Sequence, residues 1–430
     1  MRKKVMILLI VLLGLAWYQT ISAMVAVPVK YKEHIAAAET YAQKEIYEDA
    51  LAEYEMALAI RPTEEEVKLR IAETQLKLGN KSAFISGCEE LINGEPMNEQ
   101  ALQELVYYYA ADGKCEKIVD FLKELRGRYP DNENVAELWK KYRGSYEELY
   151  YSYELISPFY AGYAITESEN GHGMVNVEGE NVLGQIYEEV GYYSEEIGCV
   201  PVKLAGNWYY VNEKEHKKIV PDEQYDFLGP ISGGCAVVSK NGKYAFANMQ
   251  MEPQTDYIWD AASNLYDGTA AVEKDGKWAL LDQNLELQTD YIYEGVAVDE
   301  MGFCSRGERV FVKQADGFHL VDGKGTEIAS QVFEDAKAFG EEDLTAVCVK
   351  GKWGFVNREG EWMIDCQYED ARQFQEGLAP VKADGKWGYI NVEGEMVITP
   401  VFEDAYPFNE AGTAPVKDGD WLLIHLYALS

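Results

Sequence analysis

The sequence predicts a multidomain protein, α followed by all-β, carried behind an N-terminal transmembrane helix. Three observations predict it: an uncharged run from Val5 to Val29, a 34-residue helical period marked by prolines, and a later period of similar length marked by aromatic residues. A chain of 430 residues is also too long for one compact fold. Fixed periods of this size mean stacked units that cannot bury an apolar face alone.

The first element opens Met1-Arg2-Lys3-Lys4 and then becomes apolar, with Val5 to Leu15 rich in leucine and Trp17-Tyr18 behind it. A helix over that uncharged run, at about 1.5 Å per residue, reaches beyond the ~30 Å hydrocarbon core, and the basic cluster should stay in the cytoplasm. A cleaved signal peptide is the competing reading, because Ile21-Ser22-Ala23 supplies small residues for cleavage. Residues 1–29 are therefore a signal anchor or signal peptide, and residues 30–430 are expected outside the cytoplasmic face. The protein is expected at the cell membrane, single-pass, or secreted if the segment is removed.

Residues 30–144 form the second element. Pro62, Pro96 and Pro130 recur every 34 residues, each closing a helix after an apolar i, i+3, i+4 face, and Gly79 and Gly113 share the period. Ala38, Tyr41, Ala50, Tyr54 and Ala57 occupy small-and-aromatic positions in the first unit. Ala72, Gln75, Phe84, Cys88 and Leu91 keep the frame in the second, as do Val106, Tyr109, Ile118, Leu122 and Leu125 in the third. The array resembles the tetratricopeptide repeat, with Val135, Leu138 and Trp139 on a capping helix. That resemblance implies an α-solenoid with a concave peptide groove lined by Lys32, Ile35 and Glu39, then Glu66, Leu69 and Glu73, then Gln100, Gln103 and Tyr107. The groove would be mixed but acidic.

The third element, residues 145–430, reads as short β-branched and aromatic runs punctuated by turns such as Asp-Gly-Lys and Glu-Gly-Glu. Trp208, Tyr244, Trp278, Phe318, Trp353, Trp387 and Trp421 recur at spacings of 36, 34, 40, 35, 34 and 34 residues, and His172 begins the series as a degenerate copy. Asn or Asp follows four positions later, from Asn176 and Asn212 to Asn391. An aromatic-acidic step comes next, as in Tyr187-Glu188, Tyr225-Asp226, Phe333-Glu334, Tyr368-Glu369 and Phe402-Glu403, while Tyr257 and Tyr291 hold that place with Ile behind them. One unit is expected to be a three-stranded meander over Leu378–Lys382, Trp387–Asn391 and Met396–Ile398, in which Gly388 leaves room for a neighbouring ring or backbone. These features resemble the WG repeat, whose full Trp-Gly pair stands at Trp353-Gly354 and Trp387-Gly388.

About eight such units must close into a ring or stack in an open β-solenoid. Tyr153-Glu154-Leu155-Ile156-Ser157-Pro158-Phe159 copies the end of a unit, whereas the last copy stops soon after Trp421-Leu422-Leu423-Ile424. One terminus carries what the other lacks, which predicts a propeller-like ring sealed by strands from both ends.

Function is narrowed mainly by exclusion. With 39 basic against 74 acidic residues the formal charge is −35, so counterion release cannot drive nucleic-acid binding. The seven cysteines form no close-set pair, so neither a disulfide scaffold nor a zinc site is indicated. His34, His172, His216, His319 and His425 are scattered singly, and no protease, esterase or phosphate-loop motif occurs. No cofactor, metal or catalytic residue is assigned, and Arg306 and Arg309 are too weak to claim as a rim site. The periodic tryptophans are read as core between units rather than as a sugar platform. The doublets Glu334-Asp335, Glu369-Asp370 and Glu403-Asp404 are read as turn caps rather than as a calcium or glycosidase pair. The expectation is a non-enzymatic extracytoplasmic scaffold with a protein or peptide partner. A cell-wall polysaccharide-binding module, or a cell-wall-active enzyme with a cell-envelope glycan as ligand, is the alternative.

Overall fold

The structure, a computed structural model, describes residues 28–212, 214 and 216–429 together with Trp17. The expected anchor or signal peptide lies almost wholly outside the described residues; among those described, no helix is long and apolar enough to cross a membrane. The chain divides into two compact units. One holds the described residues up to Ile118 with Asn132–Asn134, the other Val119–Asp131 with the residues from Val135 onward.

The helices are α1 (28–43), α2 (Tyr47–Ile60), α3 (Glu65–Lys77), α4 (Lys81–Ile92), α5 (Glu99–Ala111), α6 (Cys115–Arg128) and α7 (Glu133–Tyr142). In the first unit Ala38, Ala50, Tyr54, Ala57 and Val67 form one buried cluster. Small residues set the approach of α3 and α4: a Cβ on Gly87 would stand 2.9 Å from the Cβ of Ala72. Gly79 and Gly113 follow α3 and α5 with φ of 84° and 70°, the left-handed geometry that ends a helix cheaply only in glycine. In the second unit, α7 buries Val135 and Trp139, with the Arg126 guanidinium 4.6 Å over the indole ring. Lys140 and Arg143 both bind the Glu395 carboxylate, at 2.9 and 2.8 Å.

From Tyr146 onward the second unit is an eight-bladed β-propeller. The seventh blade shows the plan: Asp370–Ala371, Leu378–Ala383, Lys386–Asn391 and Met396–Phe402 pair antiparallel in chain order. The expected three-stranded meander is thus corrected to four strands. The missing strand is the two-residue piece opened by the aromatic-acidic step, too short to show a period of two. Six sheets have four strands and the third and fourth blades have three. In those two blades the outer edge is reduced to isolated bridges, including Tyr244 with Trp259 and Trp278 with Tyr293. Trp259-Asp260 and Tyr293-Glu294 therefore hold the aromatic-acidic step, two residues beyond the expected Tyr257 and Tyr291.

Ring closure uses a strand from each end. Tyr146–Tyr153 pairs with Asp420–Leu426 and completes the eighth sheet, with Tyr153 opposite Trp421. That register repeats the pairing of Trp387 with Phe402 and of Trp353 with Tyr368. The open-solenoid alternative falls, because the last repeat finds its outer strand at the start of the domain.

Candidate functional site

In each blade a loop joins the short first strand to the second. In the seventh it spans only 372–377, whereas in the fifth it runs from 297 to 308, between Val296 and Arg309. This is where the 40-residue spacing goes. The long loop reaches across the ring: Phe303 packs against Tyr266 of the fourth blade at 4.7 Å and Tyr160 of the first at 5.9 Å. Asn264 ties it down, its Nδ2 donating to the Met301 carbonyl at 2.7 Å. Phe303 and Cys304 are 2% and 0% exposed, so this loop fills the centre of the propeller at that end.

The loop carries a buried charge pair. Asp299 Oδ1 accepts the backbone N–H groups of Met301 at 3.0 Å and Phe303 at 2.8 Å, which shapes the turn. Burial pushes the Asp299 carboxyl up to about 7, although those hydrogen bonds and Arg306 pull the other way. The Arg306 guanidinium stands 3.8 Å from Asp299 and 3.4 Å from the exposed Glu341, and lies 4.6 Å over the Tyr266 ring.

Outside this plug, loops of the first, second, sixth, seventh and eighth blades surround a cavity of about 220 Å³. Glu195, Glu341, Glu376 and Glu410 line it with Tyr160 and Asn409. The Tyr160 hydroxyl donates to Glu195 at 3.3 Å. Glu376 is half-buried, and its carboxyl is held above the usual range by burial first and by Glu342, Glu410 and Glu341 next. Asn409 is 3% exposed. Its Oδ1 accepts from Ala411 and Thr413, at 2.9 and 3.0 Å, while its buried Nδ2 has no hydrogen-bond partner. The arrangement is a negative, open-mouthed socket suited to cationic and hydrogen-bond-donating groups, with one amide nitrogen left to donate.

Sequence reasoning missed this socket. Its residues come from five blades, separated by up to 251 positions between Phe159 and Glu410, and no local spacing joins them. The expected groove residues lie instead in the first unit. Lys32, Glu39, Glu66, Gln100, Gln103 and Tyr107 are exposed, Ile35 and Glu73 are half-buried, and Leu69 is 3% exposed within the helical core. Glu73 pairs with Arg70 at 2.9 Å and Gln103 reaches Asn134 at 3.5 Å. Among the rim arginines, Arg306 belongs to the plug, whereas Arg309 donates to the Arg358 carbonyl at 2.8 Å.

The repeated aromatics are packing residues. Trp208, Trp353, Trp387 and Trp421 are buried, and the cations of Lys203, Lys337 and Arg372 lie over the rings of the first three at 5.7, 5.0 and 4.7 Å. The acidic step caps turns: Glu334 accepts from the Gly351 N–H at 2.9 Å and Glu369 from that of Gly385 at 3.0 Å. Among the described residues no group of His, Cys, Asp and Glu is placed to hold a metal ion.

An eight-bladed propeller with a filled axis and an acidic mouth is thus the class of protein that fold and site define. Five stretches match the family model of the WG containing repeat, at residues 210–244, 248–278, 320–353, 353–387 and 387–420, so five segments of the propeller carry that repeat. No curated protein matches the chain. Among solved structures, it is similar to PorZ, described as an essential bacterial surface component of the type-IX secretion system of Porphyromonas gingivalis. That match has 12% identity, a TM-score of 0.36 and coverage of 63% of this chain and 42% of that one, so the chain spans less than half of PorZ. Hsv2 of Kluyvelomyces marxianus matches at 12% identity and TM-score 0.36, covering 61% of this chain and 93% of that one. A eukaryotic initiation factor matches at 12% identity and TM-score 0.43, covering 64% and 86%.

Proposed function

We propose that this chain is a membrane-tethered extracytoplasmic scaffold, without enzymatic activity, whose propeller mouth docks a protein partner. The observation that carries the reading is the socket of Glu195, Glu341, Glu376 and Glu410, assembled by loops of several blades over a filled axis. Like charges crowded this closely repel one another in the free protein, and a complementary positive surface relieves that repulsion. The helical array, which resembles tetratricopeptide repeats, offers a second peptide surface along Glu39, Glu66, Gln100 and Tyr107.

A membrane-impermeant crosslinker added to intact cells tests tether and mouth together. The full chain should form discrete adducts, and the triple variant Glu341→Gln, Glu376→Gln, Glu410→Gln should lose them while reaching the same abundance. Adducts seen only with a permeant reagent would overturn the topology. Adducts unchanged in the triple variant would overturn the mouth.

A further inference from the structure

The acidic mouth is one half of a binding chemistry, and Asn409 supplies the other. Glu376 and Glu410 stand on neighbouring loops of the seventh and eighth blades, with Glu341 of the sixth and Glu195 of the second beside the same cavity. A carboxylate accepts hydrogen bonds and prefers a cation. Asn409 is different in kind. Its carbonyl oxygen is committed to the N–H groups of Ala411 and Thr413, which fixes the amide and leaves Nδ2 buried beside the cavity without a partner. A buried donor without a partner pays its desolvation cost unrewarded, and an acceptor arriving with the ligand recovers it. The equivalent turn in the fifth blade uses Asp299, whose Oδ1 accepts the corresponding N–H groups of Met301 and Phe303. The turn therefore works with Asp or Asn alike. Only Asn adds a donor.

Carboxylates around a cavity with one fixed N–H donor match a ligand that carries a cation and a carbonyl a few bonds apart. A basic residue within an extended peptide has that pattern: its side chain is the cation and its own main chain the acceptor. We propose that the mouth binds an arginine or lysine residue of a partner protein, the side-chain cation among Glu341, Glu376 and Glu410 and a main-chain carbonyl on Asn409 Nδ2. The proposal rests on the docking role given to the mouth above and names its chemistry. Arg306 pairs with Glu341 at 3.4 Å from beneath the socket, its guanidinium 5% exposed and lying over Tyr266 and Phe303, so an incoming cation shares Glu341 with it and meets Glu376 and Glu410 directly. The cavity of about 220 Å³ has room for one such side chain and the backbone that carries it.

Four probes test this on the full chain by calorimetric titration at low salt: acetyl-Ala-Arg-Ala-amide, its Lys and Glu counterparts, and butylguanidinium, which has the cation but no carbonyl. The Arg and Lys peptides should bind weakly and lose affinity as salt rises, and the Glu peptide should not bind. Glu376→Gln and Glu410→Gln should each weaken the Arg peptide roughly two- to fivefold, the range of a partly screened charge pair. Measured at pH 8, above the value of about 7 that Asp299 has in the equivalent turn, Asn409→Asp keeps the turn cap and exchanges the donor for a carboxylate. It should abolish the Arg peptide's advantage over butylguanidinium without weakening butylguanidinium itself. Equal binding of the Arg and Glu peptides, or equal loss of both cationic probes in Asn409→Asp, would overturn the proposal. If no probe binds while the triple variant still loses its adducts on cells, the basic-residue chemistry is wrong and the docking role stands. If neither responds, both fall.

Discussion

A Cβ on Gly388 would stand 2.4 Å from the carbonyl oxygen of Ile398 and 2.8 Å from the nitrogen of Pro400. Both are backbone atoms of the outer strand, which cannot rotate aside as a side chain would. Gly354 is held in the same way by Ile364 and Cys366. The glycine of the Trp-Gly pair thus exists because the fourth strand breaks register and crosses closely over it, between Trp387 and Tyr389 in the seventh blade. Ala245 and Ala279 take this place in the third and fourth blades, where the outer strand is reduced to isolated bridges. Gly388→Ala should therefore destabilise the propeller by about 1–3 kcal/mol, as overpacking does elsewhere, and a melt within a degree of the parent would sink this account. The need for room at Gly388 was legible in the sequence, and the atoms that need it were not. Asn391, the last residue of the strand Lys386–Asn391, is the reverse case. Its side chain turns to the chain instead, Oδ1 accepting from the Glu395 N–H at 2.8 Å, as Asp282, Asp322 and Asn357 do at the same point of their blades. The signal was present as Asn or Asp held at a fixed distance before a turn, which is the mark of a side-chain-capped turn.

The long loop of the fifth blade is an element whose length was legible and whose path was not. A spacing of 40 where its neighbours have 34 and 35 announces inserted residues, but nothing local says whether they face solvent or the axis. The path is set by partners far away in sequence, Asn264 and Tyr160. Asp299 makes its energetics accessible to pH. Its folded-state value of about 7 lies above the ordinary 3.8, so between those limits the folded chain holds a proton that the unfolded chain has released. This group's contribution to stability therefore falls as pH rises from about 4 to about 7 and then levels off. The charged groups facing it are Arg306, which opposes the rise, and Glu300, which adds to it. Asp299→Asn preserves an Oδ1 for the Met301 and Phe303 amides and removes the titration, as Asn409 does in the eighth blade. The variant's melting temperature should match the parent's near pH 4 and exceed it increasingly up to pH 7. A difference that stays constant over that window would show that the buried carboxyl does not titrate there.

At the scale of the molecule, the sequence repeat and the structural blade are out of phase. The matched segments 353–387 and 387–420 run from one aromatic to the next or to the residue before it, so each begins on the third strand of one blade and ends at the third strand of the following one. An array cut in that phase leaves a half-blade at each end, and only joining the halves satisfies both. The mismatch of the termini was visible in the sequence for this reason, while the partition of the mouth among blades required the ring itself. Closure also buries surface at the seam, where Trp421 and Leu423 pack with Ile156, Phe159, Ala164 and Val175 of the first blade. The Trp421 indole stacks on Tyr406 at 5.0 Å with the rings 12° apart. Deleting Trp421 to Ser430 removes the strand that joins these faces, leaving Tyr146–Tyr153 unpaired and the first blade uncovered. In an open row such a cut frays one end, because each unit touches only its neighbours. In a ring it opens both sides of the seam at once. Amide exchange should therefore show Tyr163–Ser168 of the first blade losing protection together with Thr413–Asp418 of the last, with the melting temperature falling as well. Trp421→Ala, a truncation that typically costs about 3–5 kcal/mol, supplies the milder variant if the deletion does not fold, and it should give the same paired loss of protection. Protection lost only in the last blade, with the first unchanged, would mean that the seam carries no stability and the propeller behaves as an open array.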